Sequence, residues 1–362
     1  MKRMIVALLL LTMVISGCGN TAKATESEPT VQAADAEETA QAETTQAADT
    51  TEATADIFAM DTYMQITAYG ERAQEAVDAA VAEITRLEEL LSAEKADSDV
   101  SKINSGTSAE ITEETTALLK RALEISAETD GAFDITVYPI MQAWGFTTQN
   151  YRIPSDEEIE GLLAHVGWEN LQIDESTHTV TKTDPDTKID LGAIAKGYTS
   201  TRLMEVFESY GIASGLVSLG GNVQTLGTKV DGSKWNVAIR DPFGEDGFAG
   251  IVSVENQAVI TSGNYERYFE EDGVRYHHLM DPDTGRPANQ GIVSATLVTP
   301  DGTLADAMTT ALYVMGAEEA VAFCKAHLDE FDAILITEDQ EVYITENISE
   351  SFTSEYEIHV IS

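Results

Sequence analysis

Asp190-Leu-Gly-Ala-Ile-Ala-Lys-Gly-Tyr198 reads as the end of a strand turning into a helix, and that switch makes the surrounding fold a mixture of both element types. Gly192 lets the backbone bend, and a carbonyl near Ala193 is left exposed to an ion or a hydrogen-bond donor. Lys196, close to the helix start, can offer positive charge to a phosphate beside free backbone N–H groups. The stretch is not a Walker loop, because the Gly-Lys-Ser/Thr order is absent. A solvent-facing lysine beside a helix cap is the competing reading of the same residues.

Outward from this stretch the period of the apolar residues alternates between that of helices and that of strands. Helical signal runs from Ala195 to Tyr210, and Gly215 to Leu219 is a core strand closed by Gly220-Gly-Asn222. Further strands are expected at Trp235–Ile239, Ile251–Glu255, Ala258–Thr261, Val274–Leu279, Val293–Val298, Ala333–Ile336 and Val342–Thr345. Helices are expected from near Ala305 and over Glu318–Leu328. Upstream, Thr62 to Ala68 alternates as a strand. Arg72 to Leu91 then carries Ala76, Val77, Ala80, Val81, Ile84, Leu87 and Leu91 on one helical face. Thr112 to Glu128 repeats that pattern with Leu118, Leu119, Ala122 and Ile125, and Thr112 suits its N-cap. Gly131 to Ile140 is expected to be extended, and Val166–Ile173 and His178–Thr183 to be short strands around a turn. The interleaving predicts one α+β domain, with mixed or antiparallel sheet pieces packed with helices, over residues 57–350. Residues 351–362 are left as a C-terminal tail.

The N-terminus sets the expected address. Lys2 and Arg3 precede an apolar stretch, Met4 to Ile15, too short to span a bilayer, and Ser16-Gly17-Cys18 follows. The sequence resembles a bacterial lipobox, with residues 1–17 as signal peptide and Cys18 as the lipidated residue. Residues 18–56 then read as an acidic solvated tether, because from Gly19 onward Thr, Ala, Glu, Gln and Asp dominate and aromatic residues are absent up to that boundary. The expected location is the extracytoplasmic face of a bacterial cell membrane, with the outer membrane left open. The other cysteine, Cys324, lies in an apolar helical stretch and is expected to be a buried small hydrophobe. A formal net charge of −42 argues against nucleic acid as a partner.

Two further polar islands carry chemistry. Asp306 and Thr310 sit four apart in helical sequence and share a face; carboxylate and hydroxyl oxygens are hard ligands suited to Mg²⁺. A helix cap and an ordinary buried threonine are the competing readings. His278, at a strand end before the Asp281-Pro282 and Thr284-Gly285 turn, is placed for proton transfer or phosphate contact. Adjacent His277 points to the opposite face, so one of the two is expected in the site. Asp281 and Asp283 fit as turn formers.

Several motifs, in order along most of the folded region, resemble the ApbE-type flavin transferases, the FAD:protein FMN transferase family. They are Met60-Asp-Thr62, Gly131-Ala-Phe-Asp-Ile-Thr136, Trp144-Gly-Phe146, Asp190 to Tyr198, Gly220-Gly-Asn222, Ile260-Thr-Ser-Gly-Asn-Tyr-Glu-Arg-Tyr-Phe269, His278 with its turn, and Asp306-Ala-Met-Thr-Thr310. One departure is clear: Asp61 stands where the family usually has glycine.

The resemblance implies a single domain of the ApbE type that binds FAD as substrate. It implies transfer of the FMN half to a threonine hydroxyl of an acceptor flavoprotein, through a phosphodiester, with release of AMP. It further implies Mg²⁺ held by the Ala193 carbonyl, Asp306 and Thr310. Met60, Asp134, Asp190, Lys196, Asn222, Tyr265 and Leu279 are implied to line or contact FAD. His278 is implied as the functional histidine and is the expected base, with Asp306 a secondary possibility. Hydrolysis of FAD to AMP and FMN by the same groups, or simple capture of a flavin or other solute by a lipoprotein, are the alternatives. Covalent flavin on an acceptor separates the first from both.

Overall fold

The computed structural model describes residues 51–244 and 247–362. Cys18, the signal segment and nearly all of the expected tether lie outside the described residues. Nine strands form the central sheet: β1 (Glu52–Ala59), β2 (Thr62–Tyr69), β3 (Ser214–Leu219), β4 (Asn222–Leu226), β5 (Ala258–Gly263), β6 (Ile292–Thr299), β7 (Asp332–Thr337), β8 (Val342–Thr345) and β9 (Ile358–Ile361). Their order in space is their order in the chain. Each neighbouring pair is antiparallel except β8 and β9, which run parallel. The sheet is therefore a meander, and the helices and small sheets enter as insertions between its strands.

Both faces of the sheet are covered, which explains runs such as β6 that are buried along their whole length. Helices α1 (Ala73–Leu91), α2 (Ala195–Ser209) and α3 (Gly302–Met315) lie on one face. Strands Trp235–Arg240, Phe248–Val254 and Phe352–Thr353 form a small sheet on the other. Alternation along β7 shows the division: Ala333 and Leu335 join the helical core, while Ile334 and Ile336 join the core under the small sheet. On α1 the expected apolar face is buried, save that Val81 is half-buried. Thr112 caps the helix Glu113–Glu128 by accepting from the Thr115 backbone N–H.

Four expectations are corrected. Ile135 to Trp144 is helical rather than extended, as a short 3-10 turn followed by the helix Tyr138–Trp144. The Asp134 side chain caps the turn, and Pro139 in the first turn of the helix supplies a preset φ. The residues before Gly192 form a loop rather than a strand; the Asp190 N–H donates to the Ile135 carbonyl at 2.9 Å, and no ladder forms. The strand before His278 ends at His277, with His278 in the bend that follows. Finally, the fold extends beyond residues 57–350 at both ends. β1 starts at Glu52, paired with Tyr69, and residues 351–362 supply a strand of the small sheet and β9.

The turns that matter for the site gather at one end of the sheet. Met60-Asp61 joins β1 to β2 as a two-residue hairpin with φ of 49° and 58°. Positive φ at both positions is the geometry that matches strand twist. It explains why glycine suits position 61, and aspartate is among the few residues that tolerate it. Gly220 and Gly221 (φ 64° and 97°) close the β3–β4 hairpin. A Cβ on Gly220 would lie 2.3 Å from Thr62 Oγ1, which ties the two turns together.

Candidate active site

Asp306 on α3 is the centre of the arrangement. Its side chain is almost fully buried, and it accepts from three donors. The Gly197 N–H donates to Oδ2 at 2.9 Å, Asn222 Nδ2 to Oδ1 at 2.8 Å, and Lys196 Nζ lies 3.4 Å from Oδ1. Two helices inserted into the meander, α2 and α3, and the first residue of strand β4 thus meet on one carboxylate. The contact between α2 and α3 is close because position 197 is glycine: a Cβ there would lie 2.0 Å from the Gly302 carbonyl oxygen.

The helix starts at Ala195, so the Gly197 N–H is one of the first-turn donors that a helix leaves unpaired, and Asp306 satisfies it. The Ala193 carbonyl precedes the N-cap residue Ile194, whose own carbonyl accepts the Tyr198 N–H, and so lies outside the helical ladder. Thr310, one turn beyond Asp306 and half-buried, has a 3.5 Å contact from its hydroxyl to Ser262 Oγ. Carbonyl, carboxylate and hydroxyl oxygens make a hard, all-oxygen donor set that fits Mg²⁺. Two other groupings bring three ligand atoms together, His165/Asp184/Asp186 and Glu128/His327/Glu330, and neither includes Asp306.

His278 follows directly on a two-stranded hairpin, Tyr268–Glu271 paired with Val274–His277. Its Nδ1 donates to the Arg267 carbonyl at 3.2 Å, which sets the tautomer and leaves Nε2 without a protein partner among the described residues. Burial pushes the imidazole down to about 3, with the nearby Arg267 cation adding to the effect and Lys196 contributing. The ring is therefore neutral at physiological pH, and its Nε2 carries no proton. His277 points into the core, as expected for its neighbour. Its Nε2 donates to the Ala288 carbonyl at 2.9 Å, the Leu279 N–H donates to Nδ1 at 3.3 Å, and Tyr313 packs edge-on.

The remaining expected residues divide. Met60 packs against α2, with its Sδ 3.7 Å from the Thr199 hydroxyl, and its own N–H donates to Glu88 Oε1 at 2.9 Å. Asp190 accepts from the Gly192 N–H at 2.7 Å. Burial raises its carboxyl, against the pull of that bond, Arg267 and Lys196. Leu279 is buried beside His278. Asp134 is not brought to the Asp306 cluster: its oxygens are committed to the Thr136 N–H and hydroxyl and to the Trp168 N–H. Tyr265 turns back onto β6, with its hydroxyl 3.3 Å from Ser294 Oγ and its ring under Arg240. Asp281 behaves as the turn former expected, accepting from the Asp283 N–H and the Thr284 hydroxyl.

Sequence reasoning missed Glu266 and Arg267, although both fall within the quoted stretch Ile260–Phe269. Glu266 reaches solvent while protein crowds it on most sides, the condition of a cleft wall. That crowding pushes its carboxyl up to about 7; Asp306 adds to the rise, while Lys196, Arg240 and Arg267 oppose it. A charged pair within and just after the Asn264-Tyr265-Glu266 turn was the available signal.

The chain is similar to known proteins over most of its described length. The ApbE family model matches residues 60–335, a span from the Met60 turn through α3 and into β7. The chain is 34% identical to the FAD:protein FMN transferase of Vibrio cholerae, over 71% of this chain and 78% of that protein. It is 32% identical to the FAD:protein FMN transferase of Salmonella typhimurium, over 86% of each. Among solved structures, the ApbE protein of Thermotoga maritima superposes with a TM-score of 0.78 at 35% identity, covering 83% of this chain and 99% of that one. On the family match, the sequence identity and the shared architecture, the chain belongs to the ApbE family.

Proposed function

We propose that the protein transfers the FMN moiety of FAD to a threonine hydroxyl of an acceptor flavoprotein, with release of AMP. The threonine oxygen attacks the FMN-side phosphorus, a new P–O bond to the protein forms, and the P–O bond to the AMP phosphate breaks. The hydroxyl proton passes to His278 Nε2, and AMP departs with the bridging oxygen. The observation that carries this reading is the pairing of two features: a carboxylate–lysine–amide cluster at Asp306, and a neutral histidine whose Nε2 is free.

Lys196 supplies positive charge to the pyrophosphate, and Asn222 holds Asp306 in place. Asp190, Met60 and Leu279 line the flavin nucleotide's seat, with Asp134 and Tyr265 acting from behind it. Mg²⁺ would be held by the Ala193 carbonyl, Asp306 and Thr310, and when bound it neutralises charge on the pyrophosphate. Residues 1–17 are proposed as a signal peptide, with Cys18 carrying lipid and the acidic segment after it tethering the domain at the extracytoplasmic face of a bacterial membrane. A Cys18→Ser chain that stays in the membrane fraction would refute the lipid anchor.

The chain without residues 1–18 is incubated with FAD, Mg²⁺ and a domain bearing a flavinylation threonine. FMN mass on the denatured acceptor with stoichiometric AMP is the expected result. AMP without acceptor modification would replace transfer by hydrolysis, and flavin binding with neither product would leave a binding protein.

A further inference from the structure

Arg267 makes three contacts that form a closed loop around His278. Its carbonyl accepts from both the backbone N–H and the Nδ1 of His278, at 3.1 and 3.2 Å. Its guanidinium donates from Nη2 to the Phe146 carbonyl at 2.8 Å. The Phe146 ring, fully buried, lies 6.4 Å centroid to centroid from the His278 ring, tilted by 56°. Each member is therefore held by the other two. Phe146 itself sits at the edge of a rigid satellite core with Ile140, Trp144, Ile159 and Met280. A fourth contact closes the arrangement from the sheet side: Asp61 Oδ2 lies 3.4 Å from Arg267 Nη2.

The loop has a chemical consequence. A histidine that accepts a proton through Nε2 needs Nδ1 protonated and its ring aimed, and a single backbone carbonyl does both here. That carbonyl stands at the open end of an exposed two-stranded hairpin, Tyr268–Glu271 with Val274–His277, next to the Tyr268–His277 pair. The guanidinium adds a tie from outside the hairpin, by fastening this end to the buried Phe146 segment. Asp61 adds a second, weaker fastening, because both partners of that pair are largely exposed.

We propose that Arg267 is the positioning residue for His278, fixing its tautomer and aim through Phe146, and that Asp61, at the turn where the family usually has glycine, steadies Arg267. This inference rests on the proposed role of His278 in FMN transfer. Arg267 touches neither reacting atom in this account; it acts through the histidine.

The test uses the full-length chain, with His278→Ala, Arg267→Met, the double variant and Arg267→Lys assayed for FMN transfer. Arg267→Met should lower kcat by about 10²-fold, because a displaced proton acceptor loses its near-attack geometry, while the KM for FAD changes less than about twofold. In the His278→Ala background, Arg267→Met should cost nothing further. Arg267→Lys, which can still donate to the Phe146 carbonyl, should recover most of the lost kcat. Asp61→Asn should cost no more than about fivefold. Multiplying losses in the double variant, or a rise in KM with kcat intact, would overturn the positioning role. Should Arg267→Met not fold, failure of Arg267→Lys to retain kcat in a folded protein would overturn it equally. Wild-type transfer by His278→Ala would instead remove the histidine's own role, so the two failures are distinguishable.

Discussion

The Gly197 N–H donates to Asp306 Oδ2 at 2.9 Å, so the first turn of one helix is tied to a carboxylate on another rather than to its own chain. This bond does two things at once. It orients the Asp306 carboxylate, and it satisfies a first-turn N–H that the helix leaves unpaired. The orientation of Asp306 and the packing of α2 against α3 are therefore one structural feature.

Gly197→Ala should damage both. The added Cβ would meet the Gly302 carbonyl oxygen at 2.0 Å and Asp306 Cβ at 2.5 Å, and two packed helix backbones cannot yield cheaply. Overpacking of this kind costs about 1–3 kcal/mol. Thermal unfolding should show the loss, and Mg²⁺-stimulated transfer should fall below what the stability change explains.

Asp306→Asn keeps the shape of the side chain but removes its charge. Loss of Mg²⁺ stimulation and a fall in transfer of about 10²-fold or more are expected, the scale of losing one strong electrostatic contact in a reacting site. Titrating Mg²⁺ against the rate checks this directly. A variant still fully stimulated would remove Asp306 from the ligand set.

His277 should make stability depend on pH. Burial pushes it down to about 4, below its unfolded value of about 6.5. The folded state binds fewer protons, so the stability this residue contributes is present above pH 6.5 and is lost as pH falls toward 4. Between pH 7 and pH 5 the loss should be about 2 kcal/mol. His277→Gln, compared with the wild type by denaturant unfolding at both pH values, should lack that part of the slope.

Cys324 should resist thiol reagents until the fold opens. It is fully buried, and burial pushes its thiol up to about 12, so thiolate is scarce at neutral pH. In the chain without residues 1–18, labelling by an aromatic disulfide should follow the unfolding transition. Rapid labelling of the native protein would contradict the burial.

Much of the fold was legible because its signals are local. The α1 face, the Thr112 cap and the Val342–Thr345 strand follow from apolar spacing and turn chemistry that a short window contains. The failures were local too, and they had tertiary causes. Gly131 to Ile140 looked extended because its apolar residues run together; a capping aspartate and a first-turn proline made the latter part helical. The start of β1 reads as tether up to Asp56 because Glu52-Ala-Thr-Ala-Asp56 has no large apolar residue. It is an edge strand whose burial alternates with exposure, and pairing with β2 fixes it.

The order of the motifs was enough, by itself, to place the chain in its family and to nominate Lys196, Asp306, Thr310 and His278, because each island joins reactive side chains to turn-forming neighbours. Tertiary structure alone decided which of them meet. Lys196 and Asp306 come from separate insertions of the meander and Asn222 from a strand of its sheet, and the contact of Lys196 with Asp306 depends on α2 and α3 approaching through Gly197. It also separated His278, held by the Arg267 carbonyl, from His277, satisfied in the core, and it committed Asp134 to a cap. Such contacts cross long stretches of chain, and no local pattern of residues encodes a hydrogen bond whose partner is a hundred positions away.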